Sequence, residues 1–260
     1  MSSPADQLDL VVAPPLGGQV LYQSDRATVI WGDCRQPEVI AQVPLDYDLL
    51  CTDPPYGVSY KSSYGRNFAA IEGDDGTVDW PAVLSQWARR LRASRHVYVF
   101  GYTGAQLAEP LCLGPTAEII WDKAITGMGD LAQPWGPAHE AITFGVSTLN
   151  PRHGGKIARK GALAARMRQG SVIRVLRPNA GGVRRHPTEK PVPLMAQLIE
   201  SSTVRRDLVV DPCAGSGSTG VAAILEGRHT FLVEYDRSYA ELAVERIKAA
   251  EKIADRIAAA

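Results

Sequence analysis

The sequence predicts an α/β fold: a mostly parallel, seven-stranded sheet with helices on both faces. Three observations lead to it. Short apolar runs recur along the chain at lengths that suit strands. Stretches with helix-like spacing lie between several of them. One run, Leu208-Val209-Val210-Asp211, passes into a Gly-rich turn and then a helical stretch, the junction at which parallel sheets turn tightly.

Taken in order, strands are expected at Thr28–Trp31, Asp48–Thr52, His96–Tyr102, Ala117–Trp121, Ala141–Val146, Leu208–Asp211 and Thr230–Val233. Helices are expected at Val78–Leu91, Gly104–Cys112, Pro191–Ser201, Ser218–Leu225 and Ser238–Ala249. In the last, Leu242, Val244, Ile247 and Ala250 follow a helical stripe. Pro191 and Pro193 suit the first turn of the helix they open, where a missing N–H costs nothing. Residues 1–20, rich in Ser, Pro and Gly, read as a loose tail. Residues 21–260 read as one domain, with 149–185 as a small basic insertion.

Composition narrows the class. A chain of 260 residues can bury one substantial core. Its 45% hydrophobic and 22% charged residues are a globular balance, and no apolar run is long enough to span a bilayer. The start lacks a basic stretch followed by an apolar one, so no signal peptide is expected and the cytoplasm is the expected compartment. Cys34, Cys51, Cys112 and Cys213 form no CxxC and, with five scattered histidines, no zinc spacing; reduced thiols and no metal are expected. The net charge of zero conceals an asymmetry. Residues 151–190 hold eleven Lys or Arg against one acid, Glu189, while the remainder is acidic. A basic segment on an acidic body suggests a polyanion held at one place.

The motifs that carry chemistry fall into two halves. In the later half, Asp211-Pro212-Cys213-Ala214-Gly215-Ser216-Gly217 turns from strand to helix, and glycines there permit a tight bend and close approach of a ligand. The next strand ends in Glu234, nineteen residues after Gly215. A carboxylate at that point can accept from both hydroxyls of a nucleoside ribose. No GK[ST] follows the glycines, which argues against a phosphate-cradling loop. In the earlier half, Asp53-Pro54-Pro55-Tyr56 follows the apolar run 48–52 and so sits where a strand ends. An exocyclic base amine is a weak nucleophile because its lone pair is delocalised, and its catalysis needs acceptors aimed at both N–H bonds. The Asp53 carboxylate and the Pro54 carbonyl can supply them. Pro55 stiffens the turn and Tyr56 offers a face for stacking a base.

Together these segments resemble the β-class amino-methyltransferases of DNA, in which the catalytic motif precedes the cofactor motif. Further matches follow the class order. Gly32-Asp33-Cys34 is similar to the segment that contacts the cofactor adenine. His186-Pro187-Thr188-Glu189-Lys190-Pro191 is similar to the segment that holds the methionine end. Trp121-Asp122-Lys123 and His139-Glu140 resemble family blocks between the halves. The resemblance covers roughly residues 28–249. It implies a Rossmann-like fold and S-adenosylmethionine as cofactor, held by Asp33, Cys34, His186, Thr188, Lys190, Asp211, Pro212, Ala214, Gly215, Ser216, Gly217, Glu234 and Tyr235. It implies Asp53, Pro54, Pro55 and Tyr56 as catalytic residues. It implies double-stranded DNA as partner, contacted by Lys123, His139, Arg152, Lys156, Arg159, Lys160, Arg166 and Arg168. Methylation of adenine N6 in a flipped-out base is the activity implied, of the restriction-modification kind, with a homodimer left open. Two departures stand out. Gly57 follows Tyr56 where many relatives carry Asn, and the stretch between His139-Glu140 and His186 is short for a target-recognition domain. Cytosine N4 is the alternative base, with Asp rather than Ser ahead of Pro-Pro-Tyr leaning towards adenine. An NAD-linked oxidoreductase or a catalytically silent DNA-binding module would leave the Pro-Pro-Tyr motif unused.

Overall fold

Nine strands form one sheet among the described residues of this computed structural model, which are 12–57, 72–124, 134–148, 169–176 and 189–259. In chain order the elements are β1 (Gln19–Gln23), β2 (Ala27–Trp31), α1 (Pro37–Ile40), β3 (Tyr47–Thr52), α2 (Trp80–Ala88), β4 (Leu91–Phe100), α3 (Gly104–Leu107), β5 (Leu113–Asp122), β6 (His139–Ser147), β7 (Val172–Arg174), α4 (Val192–Ser202), β8 (Leu208–Asp211), α5 (Ser218–Leu225), β9 (His229–Glu234) and α6 (Arg237–Ala259). Spatially the strands run β1-β2-β9-β8-β3-β4-β6-β5-β7. Pairing is parallel from β2 through β9, β8 and β3 to β4, and again between β5 and β7. It is antiparallel for β1 with β2, β4 with β6 and β5 with β6.

All seven expected strands are present, and the mixed, mostly parallel α/β class stands; the count rises to nine. β1 is a short, largely exposed edge strand whose first two residues, Gln19 and Val20, fall within the expected tail, and β7 adds three residues to the far edge from within the basic insertion. Neither has an apolar run long enough to announce a strand, because an edge strand that buries little needs none. The helix expected at 104–112 closes after one turn, and α6 runs on to Ala259, ten residues past the expected end.

The central strands are near-continuous apolar runs because both faces are covered. On one face Leu50, Val97, Val99, Val210 and Val233 meet Val39 of α1, Leu84 and Trp87 of α2 and Leu107 of α3. On the other, Leu49, Cys51, Tyr98, Phe100 and Val209 meet Leu194, Met195, Leu198 and Ile199 of α4, with Ala222 and Ala223 of α5. The alternation along β3 and β4 is the strand period of two made visible. Trp87 is fully buried, so cutting it back to alanine would cost about 3–5 kcal/mol.

This topology places a crevice. β3 leads through α2 to β4 on one side, whereas β8 leads through α5 to β9 on the other, with α2 and α5 on opposite faces. The adjacent strands β3 and β8 are therefore a topological switch point, and the crevice opens beyond their carboxyl ends.

Candidate active site

The carboxyl edge of the sheet collects both halves of the chemistry. Asp53-Pro54-Pro55-Tyr56 leaves β3, and Asp211–Gly217 leaves β8, on the two sides of the switch point. Asp33 lies just beyond β2, Glu234 ends β9 and Tyr235 follows it, with Trp31 opposite Glu234 in register. On the other side, antiparallel β6 starts at this edge with His139 and Glu140, and β5 ends there with Asp122.

The Gly-rich turn is held from several directions. Gly217, at φ +81°, caps α5, and a Cβ there would lie 2.9 Å from Ala243 Cβ of α6. Glu234 accepts from the backbone N–H of Gly215 (2.7 Å) and of Asp236 (2.8 Å). Asp211 accepts from Cys213 N–H (3.0 Å) and Thr219 Oγ1 (2.6 Å). Burial pushes the Glu234 carboxyl up to about 7 and that of Asp211 up to about 6. Ala214 donates its N–H to the Val233 carbonyl, and Ser216 is buried. Arg246 of α6 donates to the Ser216 carbonyl and hydroxyl (both 2.7 Å) and pairs with Glu189 (2.8 Å). It thus joins the turn to the segment before α4, a role without a sequence motif. On β2's side, Asp33 receives a two-pronged pair from Arg35 (2.8 Å each), whose guanidinium lies 5.7 Å from the centre of the Tyr235 ring. Cys34 is buried, and its carbonyl accepts from the Trp87 indole (2.9 Å).

Across the crevice, Asp53 is the focus. Its Oδ1 accepts from the Tyr56 hydroxyl, and its Oδ2 from Lys190 Nζ at 2.5 Å. Lys190 also pairs with Glu140 (3.2 Å), and Glu140 with Lys123 (2.7 Å). Burial raises the Asp53 carboxyl above its ordinary range, against the pull of Lys190. Burial works against the Lys190 charge too, yet Asp53 and Glu140 outweigh it and hold the ammonium above its usual range. Glu140 ends below its ordinary value, because Lys190 and Lys123 overcome its burial. The turn beyond Asp53 is fixed by Asp74, which accepts from the N–H of Tyr56 (3.0 Å) and Gly57 (2.8 Å), and by Tyr102, which donates to the Pro55 carbonyl (2.7 Å). Gly57 sits at φ +72° with an added Cβ only 3.1 Å from Gly76 Cα, so glycine serves the backbone where relatives carry Asn. The Tyr56 ring, 37% exposed, meets Tyr102 edge-on and lies over Gly101.

Placement therefore matches the expected residues unevenly. Asp53, Pro54, Pro55 and Tyr56 face Asp211, Pro212 and the glycine turn across the switch point, and Lys190 joins them. Lys123 is 6% exposed and its ammonium pairs with Glu140. Its neighbour in space, His139, is exposed at the start of β6. His186, Thr188, Arg152, Lys156, Arg159, Lys160, Arg166 and Arg168 lie outside the described residues. Glu140, Asp74, Gly101 and Arg246 are the participants that sequence reasoning did not assign.

Comparison with known proteins follows the same lines. A family model described as DNA methylase matches residues 47–245. The chain is 30% identical to the YubD protein of Escherichia coli strain K12 over 227 residues, 86% of this chain and 91% of that one. Its fold resembles the solved PvuII DNA methyltransferase, described as cytosine-N4-specific, with a TM-score of 0.66 and 18% identity over 94% of this chain and 96% of the other. It also resembles M1.HpyAVI, solved as a complex with SAM, with a TM-score of 0.54 and 21% identity over 83% and 97% of the two chains.

Proposed function

The chain belongs to the DNA methylase family, and from that premise we propose that it transfers a methyl group from S-adenosylmethionine to adenine N6 of double-stranded DNA. The observation that carries this reading is the meeting of the Asp53–Tyr56 turn and the Gly215–Gly217 turn across one switch-point crevice.

The residues present fit such a cofactor. Glu234 offers a carboxylate at the end of β9 for two ribose hydroxyls, and Asp33 and Tyr235 flank it on the side expected for an adenine ring. Cys34, Asp211, Pro212, Ala214 and Ser216 would line the same arm, with His186 and Thr188 assigned by resemblance to its methionine end, while the Lys190 ammonium is turned to Asp53. Bound there, S-adenosylmethionine supplies an electrophilic methyl group. The chain's own task is to orient a poor nucleophile and take up its proton. A base extruded from the duplex would stack on the exposed face of Tyr56. Its amine would exchange for the Tyr56 hydroxyl at Asp53 Oδ1 and give its second N–H to the Pro54 carbonyl. The nitrogen becomes acidic once it carries the methyl group, so Asp53 need only be ionised and well aimed, and positioning is the main catalytic contribution. His139 and the basic residues Arg152, Lys156, Arg159, Lys160, Arg166 and Arg168 would bind phosphates, which positions DNA without reading it.

Nucleoside mass spectrometry of DNA methylated by the purified protein tests this. N6-methyladenine is the expected product, and Asp53→Ala should lose on the order of a hundred- to a thousand-fold in rate while keeping most cofactor affinity. An Asp53→Ala protein as fast as wild type refutes the catalytic assignment. N4-methylcytosine as sole product moves the substrate to the other base and leaves the mechanism standing.

A further inference from the structure

Resemblance assigns Lys190 to the cofactor and Lys123 to DNA; the fold buries both and joins them through Glu140. The chain of contacts is Lys123 Nζ to Glu140 Oε1 at 2.7 Å, Glu140 Oε2 to Lys190 Nζ at 3.2 Å, and Lys190 Nζ to Asp53 Oδ2 at 2.5 Å. The side chains of the two lysines are 8% and 7% exposed. These four groups come from the end of β5, the start of β6, the segment before α4 and the end of β3, and charge alternates along them. A buried row of alternating charge is tolerable only while complete, since removing a member strands its neighbour's charge.

We infer that Lys190, backed by Glu140 and Lys123, is a positioning residue that holds Asp53 ionised and turns one of its oxygens towards the target amine. This rests on the reading of Asp53 as the amine's acceptor. The geometry divides the carboxylate. Oδ2 is committed to an ammonium that is itself anchored from behind. Among the described residues Oδ1 meets the hydroxyl of Tyr56, a neutral donor whose place an amine N–H can take. Lys190 Nζ also reaches the Tyr56 hydroxyl at 3.4 Å, so a single cation registers both the acceptor and the stacking ring. An ammonium has donors and no acceptor. Lys190 therefore cannot receive the proton that leaves the nitrogen; that proton passes to Asp53, and Lys190 keeps its own. Packing gives a second cue. Lys190 Nζ lies 5.0 Å from the centre of the Phe100 ring and 5.9 Å from that of Tyr56, two ring faces beside a side chain that is 7% exposed.

The pH dependence follows from the groups that face Asp53: Lys190, Glu140 and Tyr56, with Asp211 across the crevice. Burial and Glu140 push the Asp53 carboxyl up, and Lys190 pulls it down. Without the ammonium the carboxyl rises further, so a rate that needs the anion fails at a higher pH.

The experiment compares wild type with Lys190→Met, Lys190→Arg and Glu140→Gln. It measures kcat on duplex DNA from pH 5 to 9 and the cofactor Kd by calorimetry with S-adenosylmethionine. Lys190→Met should lower kcat by on the order of a hundredfold, the scale of one preorganised charged group, and move the acid limb upward with the cofactor Kd unchanged. Lys190→Arg should restore part of the rate and return the limb towards wild type. Glu140→Gln should move the limb the same way by less, and it carries the test alone if Lys190→Met does not fold. A weakened cofactor Kd with kcat preserved at saturation overturns the inference in favour of a cofactor ligand. A lower kcat with an unmoved limb overturns it in favour of a structural ion pair. Failure of the Asp53 reading itself would instead appear as an unimpaired Asp53→Ala protein.

Discussion

Replacing Gly101 with alanine should slow methylation, although Gly101 contributes no side chain to the site. Gly101 follows β4 at φ +73° and lies under the Tyr56 ring. An added Cβ would stand 2.5 Å from Tyr56 Cδ1 and 2.7 Å from Cζ, and nearer still to Cε1. Carbon atoms in contact sit about 3.5–4.0 Å apart, so the ring must shift by about an ångström or more. Two costs follow. A Cβ at this positive φ costs about 1–2 kcal/mol of stability. For a domain of this size that lowers Tm by about 2–8 °C. A displaced ring forfeits stacking of the base, about 1–3 kcal/mol. If that loss falls on the transition state, the rate drops by about 5- to 150-fold. Initial rates of labelled methyl transfer to duplex DNA, with a thermal melt, measure both. The double variant isolates the cause. Once Tyr56→Ala has removed the ring, adding Gly101→Ala should cost no further rate, because the two act through one contact. A Gly101→Ala protein methylating at the wild-type rate would refute Tyr56 as the stacking platform. A double variant much slower than Tyr56→Ala would show that Gly101 acts by another route.

Cofactor affinity should weaken as pH falls through about 7, because burial holds the Glu234 carboxyl there and its anion is the proposed acceptor for ribose hydroxyls. The sign reverses for folding: a carboxyl raised on folding contributes stability at low pH that is lost as pH rises through about 7, so the cofactor-free protein should melt lower at pH 8 than at pH 5. Glu234→Gln should flatten both profiles, and a wild-type affinity independent of pH would dismiss the ribose role. Duplex binding should fall steeply with salt, and reversing Arg152, Lys156, Arg159, Lys160, Arg166 and Arg168 should flatten that slope by about 0.9 per lost phosphate contact. Trp135, 87% exposed while the other four tryptophans are buried, stands three residues before Ala138, whose carbonyl pairs with Lys123 N–H at this edge. Its fluorescence should become shielded from acrylamide when duplex is added; unchanged quenching would put the DNA face elsewhere.

What the sequence determined by itself is local and periodic. Apolar runs marked seven strands, and the strand Leu208–Asp211 and the helix Ser218–Leu225 match the structure at both ends. The glycines of the Asp211–Gly217 turn and the carboxylate nineteen residues beyond are legible because a strand-to-helix turn and a ribose acceptor constrain neighbouring positions along one chain. The Asp53–Tyr56 motif is legible for the same reason. The edge strands β1 and β7 carried too little burial to leave a pattern. The tertiary structure alone decided which charges face one another. Nothing near Lys123 or Lys190 in sequence marks them as partners of the same carboxylate. They meet at Glu140 because antiparallel β6 begins at the edge where β5 ends and where the segment before α4 brings Lys190 Nζ within 5.0 Å of the centre of the Phe100 ring. Burial explains the pairing, since a charge removed from water must find its opposite within a few ångströms. That pairing depends on strand order, and strand order is set by long-range burial that no single segment encodes.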